Sequence, residues 1–305
     1  MKSVVENGAV TWIAVLLVFV ILLVLANQLT DGERFHGLAP IATIALALLG
    51  LVGLQRATAE SDAWEIDTDR ILYMALGTAL YVLLSYVFNG LLELSVGQVV
   101  IRPMVCIPVL AGYAFGPVVG FFTGAVGNVL GDFVTGWGVF PAWAIATGLT
   151  GLIPGWASIL AEEKRNLPFL TTLVVVLVVI AASVVFVHPR VPEPFTGEVT
   201  NHTFWGWALL IGGAVMLANR FLLEQASVAL AAVNLWGTLG ILAGSAFAAV
   251  AHIWINEYTP GTAIIGEFAP AAGTDILNLM IFTPLVLAAY NAVRGRAGRR
   301  REGGG

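Results

Sequence analysis

The stretch FGPVVGFFTGAVGNVLGDF, residues 115–133, sets Gly116, Gly120, Gly124, Asn128 and Asp132 four residues apart in an otherwise apolar run. On a helix that spacing drifts slowly around the axis, so the five positions form one inclined ridge, with Gly127 and Gly131 beside its second half. Residues without side chains let a neighbouring backbone come close, which is how helices associate where lipid removes the hydrophobic drive between them. Gly116, Gly120 and Gly124 therefore read as helix-packing positions. Asn128 and Asp132 need another reason, because a carboxylate within a membrane is costly and normally faces a cavity, a partner or water. Asp132 has two readings: a ligand-facing group, or a carboxylate reaching the interface and accepting hydrogen bonds near Trp137.

Composition shows why the setting is a membrane. The 305-residue chain is 58% hydrophobic and 11% charged with a mean hydropathy of +0.90, values that exclude a soluble globular domain of this length. Its apolar runs have the length of helices crossing ~30 Å of hydrocarbon rather than the alternation of membrane strands. The fold class is thus all-α, a polytopic membrane protein with eight to ten spans. The ten-span reading places them near 10–28, 39–55, 71–90, 100–115, 117–134, 141–161, 168–187, 205–222, 228–252 and 271–291. A single helix over 99–134 would measure roughly 54 Å, too long for a bilayer. A tight hairpin at Gly116-Pro117 divides it, since proline suits the first turn of a new helix.

Basic residues fit this topology. With the N-terminus inside and ten spans, eleven of fourteen Lys and Arg are cytoplasmic, and only Arg34, Arg102 and Arg190 lie outside. A nine-span, N-out version scores ten against four, so the hairpin carries the choice, and the C-terminus is cytoplasmic in both. The run from Ala9 to Ala26 exceeds the usual signal-peptide core and reads as a retained helix. Residues 1–55 form a two-helix N-terminal extension, 56–70 a charged cytoplasmic linker, 71–293 the membrane core and 294–305 a basic cytoplasmic tail. That tail suits anionic lipid at the bilayer surface better than nucleic acid.

Several chemistries find no support. There is no phosphate loop, no HExxH and no GxSxG, and Gly244-Ser245-Ala246 lacks a partner histidine. No catalytic residue is assigned, the chain is read as a non-enzyme, and no cofactor is expected. His188, Glu193, Glu198 and His202 in the Pro-rich outer loop 188–203 match no ligand spacing, so no metal is expected either. The single cysteine, Cys106, rules out a disulfide framework.

The outer ends of the spans instead gather Asn89, Glu93, Gln98, Arg102, Trp143, Glu267 and Asp275, beside Asn128, Asp132 and Trp137. A lone tryptophan at an interface is ordinarily an anchor. Two tryptophans with an amide and a carboxylate around one outer cavity suit a flat ligand that needs stacking faces and a few fixed polar groups.

The block Gly97 to Trp156 resembles the substrate-binding S components of energy-coupling factor (ECF) vitamin transporters. The shared features are Arg102-Pro103 at the entry to the second core helix, the FGPxxG hairpin from Phe115 to Gly120, the GxxGNxxGD run from Gly124 to Asp132, and the helix from Trp143 to Gly155 ending GLxGLIPG. The resemblance implies a six-helix core with both termini cytoplasmic in the cell membrane and a vitamin or related small metabolite bound near the outer face. It also implies a long first outer loop, matched by residues 91–100, and docking onto a coupling transmembrane subunit and ATPase subunits through small residues on the first core helix. Ala75 and Ala79 supply that AxxxA pattern. Carried onto this sequence, Asn128 and Asp132 hydrogen-bond the ligand, Trp137 or Trp143 stacks on it, and Arg102 complements an anionic group or neutralises Asp132. Asn89, Gln98 and Asp275 complete the expected substrate-binding set.

Two departures stand out. Eight spans follow residue 70 where the family has six, so 168–222 reads as a candidate inserted helix pair, and two more helices precede the core. The larger bundle keeps open a self-sufficient ion-coupled transporter or channel, with Asp132 as its protonatable group.

Overall fold

The computed structural model describes residues 2–29, 37–58, 61–159, 163–223 and 228–302. Arg34 and the last three residues of the basic tail lie outside them. Among the described residues there are ten α-helices: α1 (Lys2–Leu29), α2 (Leu38–Ala57), α3 (Thr68–Ser85), α4 (Cys106–Phe115), α5 (Pro117–Thr135), α6 (Pro141–Gly155), α7 (Glu163–Val187), α8 (Thr203–Leu223), α9 (Val228–Ile255) and α10 (Ala269–Glu302). Two short antiparallel hairpins interrupt them, β1 (Ser95–Val96) with β2 (Val99–Val100), and β3 (Arg190–Pro192) with β4 (Val199–Asn201). The chain is an all-α polytopic membrane protein, with eight helices long and apolar enough to cross a bilayer.

The division between α4 and α5 falls at Gly116, whose φ of +104° is open to glycine and whose amide closes the end of α4 on the Gly112 carbonyl at 2.8 Å. Pro117 then occupies the first turn of α5. The expected full-length spans at 100–115 and 141–161 are both shorter in the structure. From Pro103 the helix rises only about 20 Å, against about 28 Å for α5. Because the two helices share the turn at Gly116, α4 must end short at the opposite end, and the space above it is left for the hairpin β1–β2 and a cavity.

Close backbone approach builds the centre. A Cβ at Gly120 would lie 2.2 Å from the Gly151 carbonyl oxygen of α6, and one at Gly124 would lie 2.1 Å from that of Thr147. The next positions along α5, Gly127 and Gly131, turn toward Tyr81 and Ser85 of α3. Thus α5 seats α6 along one row and α3 along another, and α4 and α9 close over α6.

The α1–α2 and α7–α8 pairs pack onto the helices α3–α6, α9 and α10. From α1, the buried Trp12 donates its indole N–H to the Leu51 carbonyl of α2 at 3.3 Å and meets Phe121 of α5 edge to face. From α9, Trp254 donates to Thr43 Oγ1 of α2 at 2.7 Å. The α7–α8 pair lies against α9 and α10. The acidic linker is ordered at its end, where Asp67 Oδ1 accepts the Arg70 amide at 2.8 Å and caps α3.

Candidate functional site: a polar cavity at one end of the bundle

At the end of the bundle away from the Gly116 turn lies a cavity of about 580 Å³, a size suited to a small organic molecule. Gln98, Arg102, Asn128, Asp132, Trp137, Trp143 and Asp275 all line it. Their placement follows from local structure. Asn128 and Asp132 continue the ridge of Gly120 and Gly124, and both are buried where they line the cavity wall. At the end of α5, Gly136 takes φ +75° and the Trp137 amide returns to the Asp132 carbonyl at 3.1 Å, which brings the indole back over the cavity. Gln98 and Val100 arrive on the hairpin β1–β2.

Asn278 of α10 fixes the approach of Arg102. Its Oδ1 accepts the Arg102 amide at 2.7 Å, and its Nδ2 donates to the Val100 carbonyl at 2.8 Å and to the Thr274 carbonyl at 2.9 Å. One turn earlier on α10, Asp275 Oδ1 stands 3.5 Å from Arg102 Nη1. The guanidinium is therefore already paired, and the pairing is with Asp275 of α10.

A second polar group, built around Glu267, closes the other wall. Residues 262–268 form a π-helical turn ahead of α10, a geometry that re-aims side chains and recurs at functional sites. Glu267 Oε1 accepts the Trp143 indole N–H at 3.2 Å and lies 2.6 Å from His252 Nδ1 of α9. Its Oε2 is buried with no hydrogen-bond partner in the protein, and the same holds for Asn128 Oδ1. Buried acceptors of this kind require donors.

The α7–α8 pair supplies part of the wall. Trp205 of α8 lines the cavity, and Pro194 and Phe195 reach it from the β3–β4 hairpin. That hairpin rests on the π-helical turn, where a Cβ at Gly266 would lie 3.1 Å from the Pro192 carbonyl. Tyr258, in the segment between α9 and the turn, donates its hydroxyl to the Pro194 carbonyl at 3.1 Å. Burial, and then the nearby Glu267 charge, raise the Tyr258 hydroxyl above its usual pKa, which keeps it a donor. Phe195 remains largely exposed at the rim.

Asn89 corrects the expected set. Residues 86–92 form a second π-helical turn, whose extra residue per turn rotates the register away from the α-helical one. Asn89 is buried one turn beyond Ser85, which abuts Gly131 of α5, and it does not line the cavity. On the same helix Ala75 and Ala79 are exposed, on a face shared with Ile71, Leu72, Leu76, Leu80 and Leu83 that no other described helix covers. The residues that sequence reasoning missed are Phe195, Trp205, Thr147, Thr150, Ser245 and the His252 contact to Glu267. The Gly240 and Gly244 spacing on α9 was a usable signal for Ser245, since it brings α9 against the Ala146 and Thr150 carbonyls of α6.

A bundle of membrane helices that encloses a cavity of this size at one end defines a class: polytopic membrane proteins with an internal cavity fit for a small molecule. Within that class, residues 65–205 match the family model described as "ECF-type riboflavin transporter, S component". The resemblance to ECF S components carried by Gly97 to Trp156 is borne out by that match. Curated relatives include UPF0397 proteins of Aliivibrio salmonicida, 29% identical over 99 residues (32% of this chain and 53% of the relative), and of Aliivibrio fischeri strain MJ11, 28% identical over 99 residues with the same shares. A UPF0397 protein of Vibrio atlanticus is 26% identical over 118 residues, 38% of this chain and 64% of the relative. The chain spans about half the length of the first of these relatives. No solved structure matches.

Proposed function

We propose that this chain is the substrate-binding membrane subunit of an ATP-driven ECF-type importer, capturing a vitamin or related small heterocycle from the outer side of the cell membrane. The observation that carries this reading is the cavity: it collects Gln98, Arg102, Asn128, Asp132, Trp137, Trp143 and Asp275 from separate elements, largely within the segment that matches an S component. In this reading Trp137 and Trp143 offer stacking faces, Asn128 and Asp132 bind the ligand's polar edge, and Gln98 closes over it on the β1–β2 hairpin. Arg102 orients Asp275 and does not meet an anion.

Both termini are cytoplasmic in this arrangement, and the cavity faces outward. The open face of α3 with Ala75 and Ala79 is the docking surface for a coupling transmembrane subunit, which joins the chain to its ATPase subunits. Small residues there let a partner helix approach closely.

The test is reconstitution into vesicles, with uptake followed for ligands identified by native mass spectrometry of the gently purified protein. Uptake that requires a co-purifying ATPase supports the proposal. ATP-independent, ionophore-sensitive uptake by the chain alone would instead establish the ion-coupled reading, in which Asp132 carries the proton; the closely packed ten-helix bundle is the observation that favours it.

A further inference from the structure

We propose that the cavity selects a flat ligand with a donor-rich, cationic edge, of the aminoheterocycle or amidinium type, and rejects anionic ligands. This deepens the functional reading above and rests on it.

Charge comes first. Among the cavity-lining residues there are three carboxylates, Asp132, Glu267 and Asp275, and one fixed cation, Arg102. Arg102 stands against Asp275 at 3.5 Å, so its charge is already balanced by a carboxylate before any ligand arrives. Even with His252 protonated against Glu267, the carboxylates exceed the cations by one. The lining is therefore acidic on balance, and a cavity of that sign attracts a cationic ligand and repels an anionic one.

Hydrogen-bonding capacity is a separate observation with the same direction. Asn128 is 5% exposed, lines the cavity, and its Oδ1 has no partner. Glu267 Oε2 is a further buried acceptor without a hydrogen-bond partner. One buried donor atom in the cavity, Arg102 Nε, is likewise unused. The site thus offers mostly acceptors, and the complementary ligand edge must supply N–H groups.

Shape restricts the remainder. Trp137, Phe140, Trp143, Phe195 and Trp205 surround this polar floor. Aromatic faces reward a planar ring, and more so when it carries positive charge. A ring bearing an amidine or amino-substituted ring nitrogens meets the charge, the acceptors and the walls together.

The experiment is calorimetric titration of the intact, detergent-solubilised chain with three near-isosteres, naphthalene-2-carboxamidine, naphthalene-2-carboxamide and naphthalene-2-carboxylate, with riboflavin as a fourth probe. The amidine is expected to bind about ten-fold more tightly than the amide, the difference made by a charge-assisted over a neutral hydrogen bond, and the carboxylate not at all. Glu267→Gln or Asp132→Asn, each verified as folded by its thermal transition, is expected to bring the amidine-to-amide ratio to within about three-fold of unity. The inference is overturned if the amide or carboxylate binds as well as the amidine, or if neither variant changes the ratio. Riboflavin binding that Trp143→Ala abolishes, alongside an amidine no better than its amide, would keep the parent reading and remove this one. Failure of all four probes to bind would count against both.

Discussion

Replacing Gly124 with alanine tests whether the ridge of small residues is a backbone contact or an incidental composition. The added methyl would stand 2.1 Å from the Thr147 carbonyl oxygen and 2.7 Å from its carbon, both main-chain atoms of α6. Ordinary contact begins near 3.4 Å, so α5 and α6 must part by 3.4 − 2.1, about 1.3 Å. No rotamer change relieves it. Overpacking costs about 1–3 kcal/mol when side chains can yield, and here the neighbour is a helix backbone, so the loss should sit at the upper end of that range. It should outweigh the gain of about 1 kcal/mol that alanine brings to a helix interior in place of glycine. Gly53 of α2 provides the control, because a Cβ there meets nothing within 4 Å. In thermal unfolding of the purified protein, Gly53→Ala should leave the midpoint unchanged or raise it, and Gly124→Ala should lower it. Ligand affinity should fall as well, since Thr147 lines the cavity and its hydroxyl donates to the Trp143 carbonyl at 2.9 Å, while a binding constellation tolerates displacements of only about 0.5 Å. Equal midpoints for the two variants would refute the reasoning.

Asn278→Ala removes the acceptor for the Arg102 amide and the donor to the Val100 carbonyl. It should cost about 1–3 kcal/mol of stability and raise protease cleavage within residues 93–102, whereas unchanged cleavage would mean that Asn278 does not hold the loop. Ala75→Trp together with Ala79→Trp should leave ligand binding intact, because neither residue touches the cavity, and should abolish partner-dependent uptake; transport at the original rate would show that this face of α3 is not the docking surface. His202, at the start of α8 and outside the spans, is held below its usual pKa of 6.5 chiefly by burial, with its bond to the Val191 carbonyl and the Glu193 charge opposing. A depressed value means that the unfolded hairpin binds the proton more readily, so stability is fully present above pH 6.5 and declines as pH falls from there through the folded value. Protection factors from hydrogen exchange across residues 188–202, corrected for the intrinsic pH dependence of exchange, should accordingly fall on acidification from pH 7.5, and His202→Gln should flatten that dependence.

Helix number and the inner hairpin were legible because they depend on local quantities: run length, hydropathy, and a Gly-Pro pair at the only point that can halve an overlong run. The glycine ridge was legible for the same reason, since spacing of four fixes a face before any neighbour is known. The short start of α4 was not. Residues 100–102 are as apolar as many spans apart from Arg102, and what removes them from the helix is a bond to Asn278, 176 positions away. Asn89 was misplaced because an α-helical register was assumed across Tyr86–Leu92, where the structure has a π-helical turn. The contact of Glu267 with His252 and Trp143 escaped for a related reason. It needs the end of α9, a second π-helical turn and α6 to meet, and none of the three spacings signals the others. The α7–α8 pair was visible as two further apolar runs. Its contribution of Trp205, Pro194 and Phe195 to the site was not, because that depends on which side of α9 and α10 it settles against.

The placement of the polar groups follows from the packing of the apolar ones. Where α5 and α6 touch backbone to backbone, as at Gly120 and Gly124, neither helix has a flexible side chain through which to adjust, so the relative position of the two is set within tight limits. The ridge then passes into the cavity as Asn128 and Asp132 on α5, and α6 contributes Trp143 and Thr147 to the facing wall. A rigid seam thereby holds the stacking face and the hydrogen-bonding groups at a constant separation. The cover behaves differently: β3–β4 is attached through the Tyr258 hydroxyl and the contact at Gly266, and its outermost aromatic, Phe195, is 84% exposed. Val191 anchors the base of this hairpin in the core, while its exposed tip has the attributes of a segment that moves at low cost. On the proposed function, displacing this hairpin opens one side of the cavity without separating α5 from α6, so a glycine substitution in the seam should reduce affinity, while weakening the Tyr258 tether should mainly raise the rates of entry and exit.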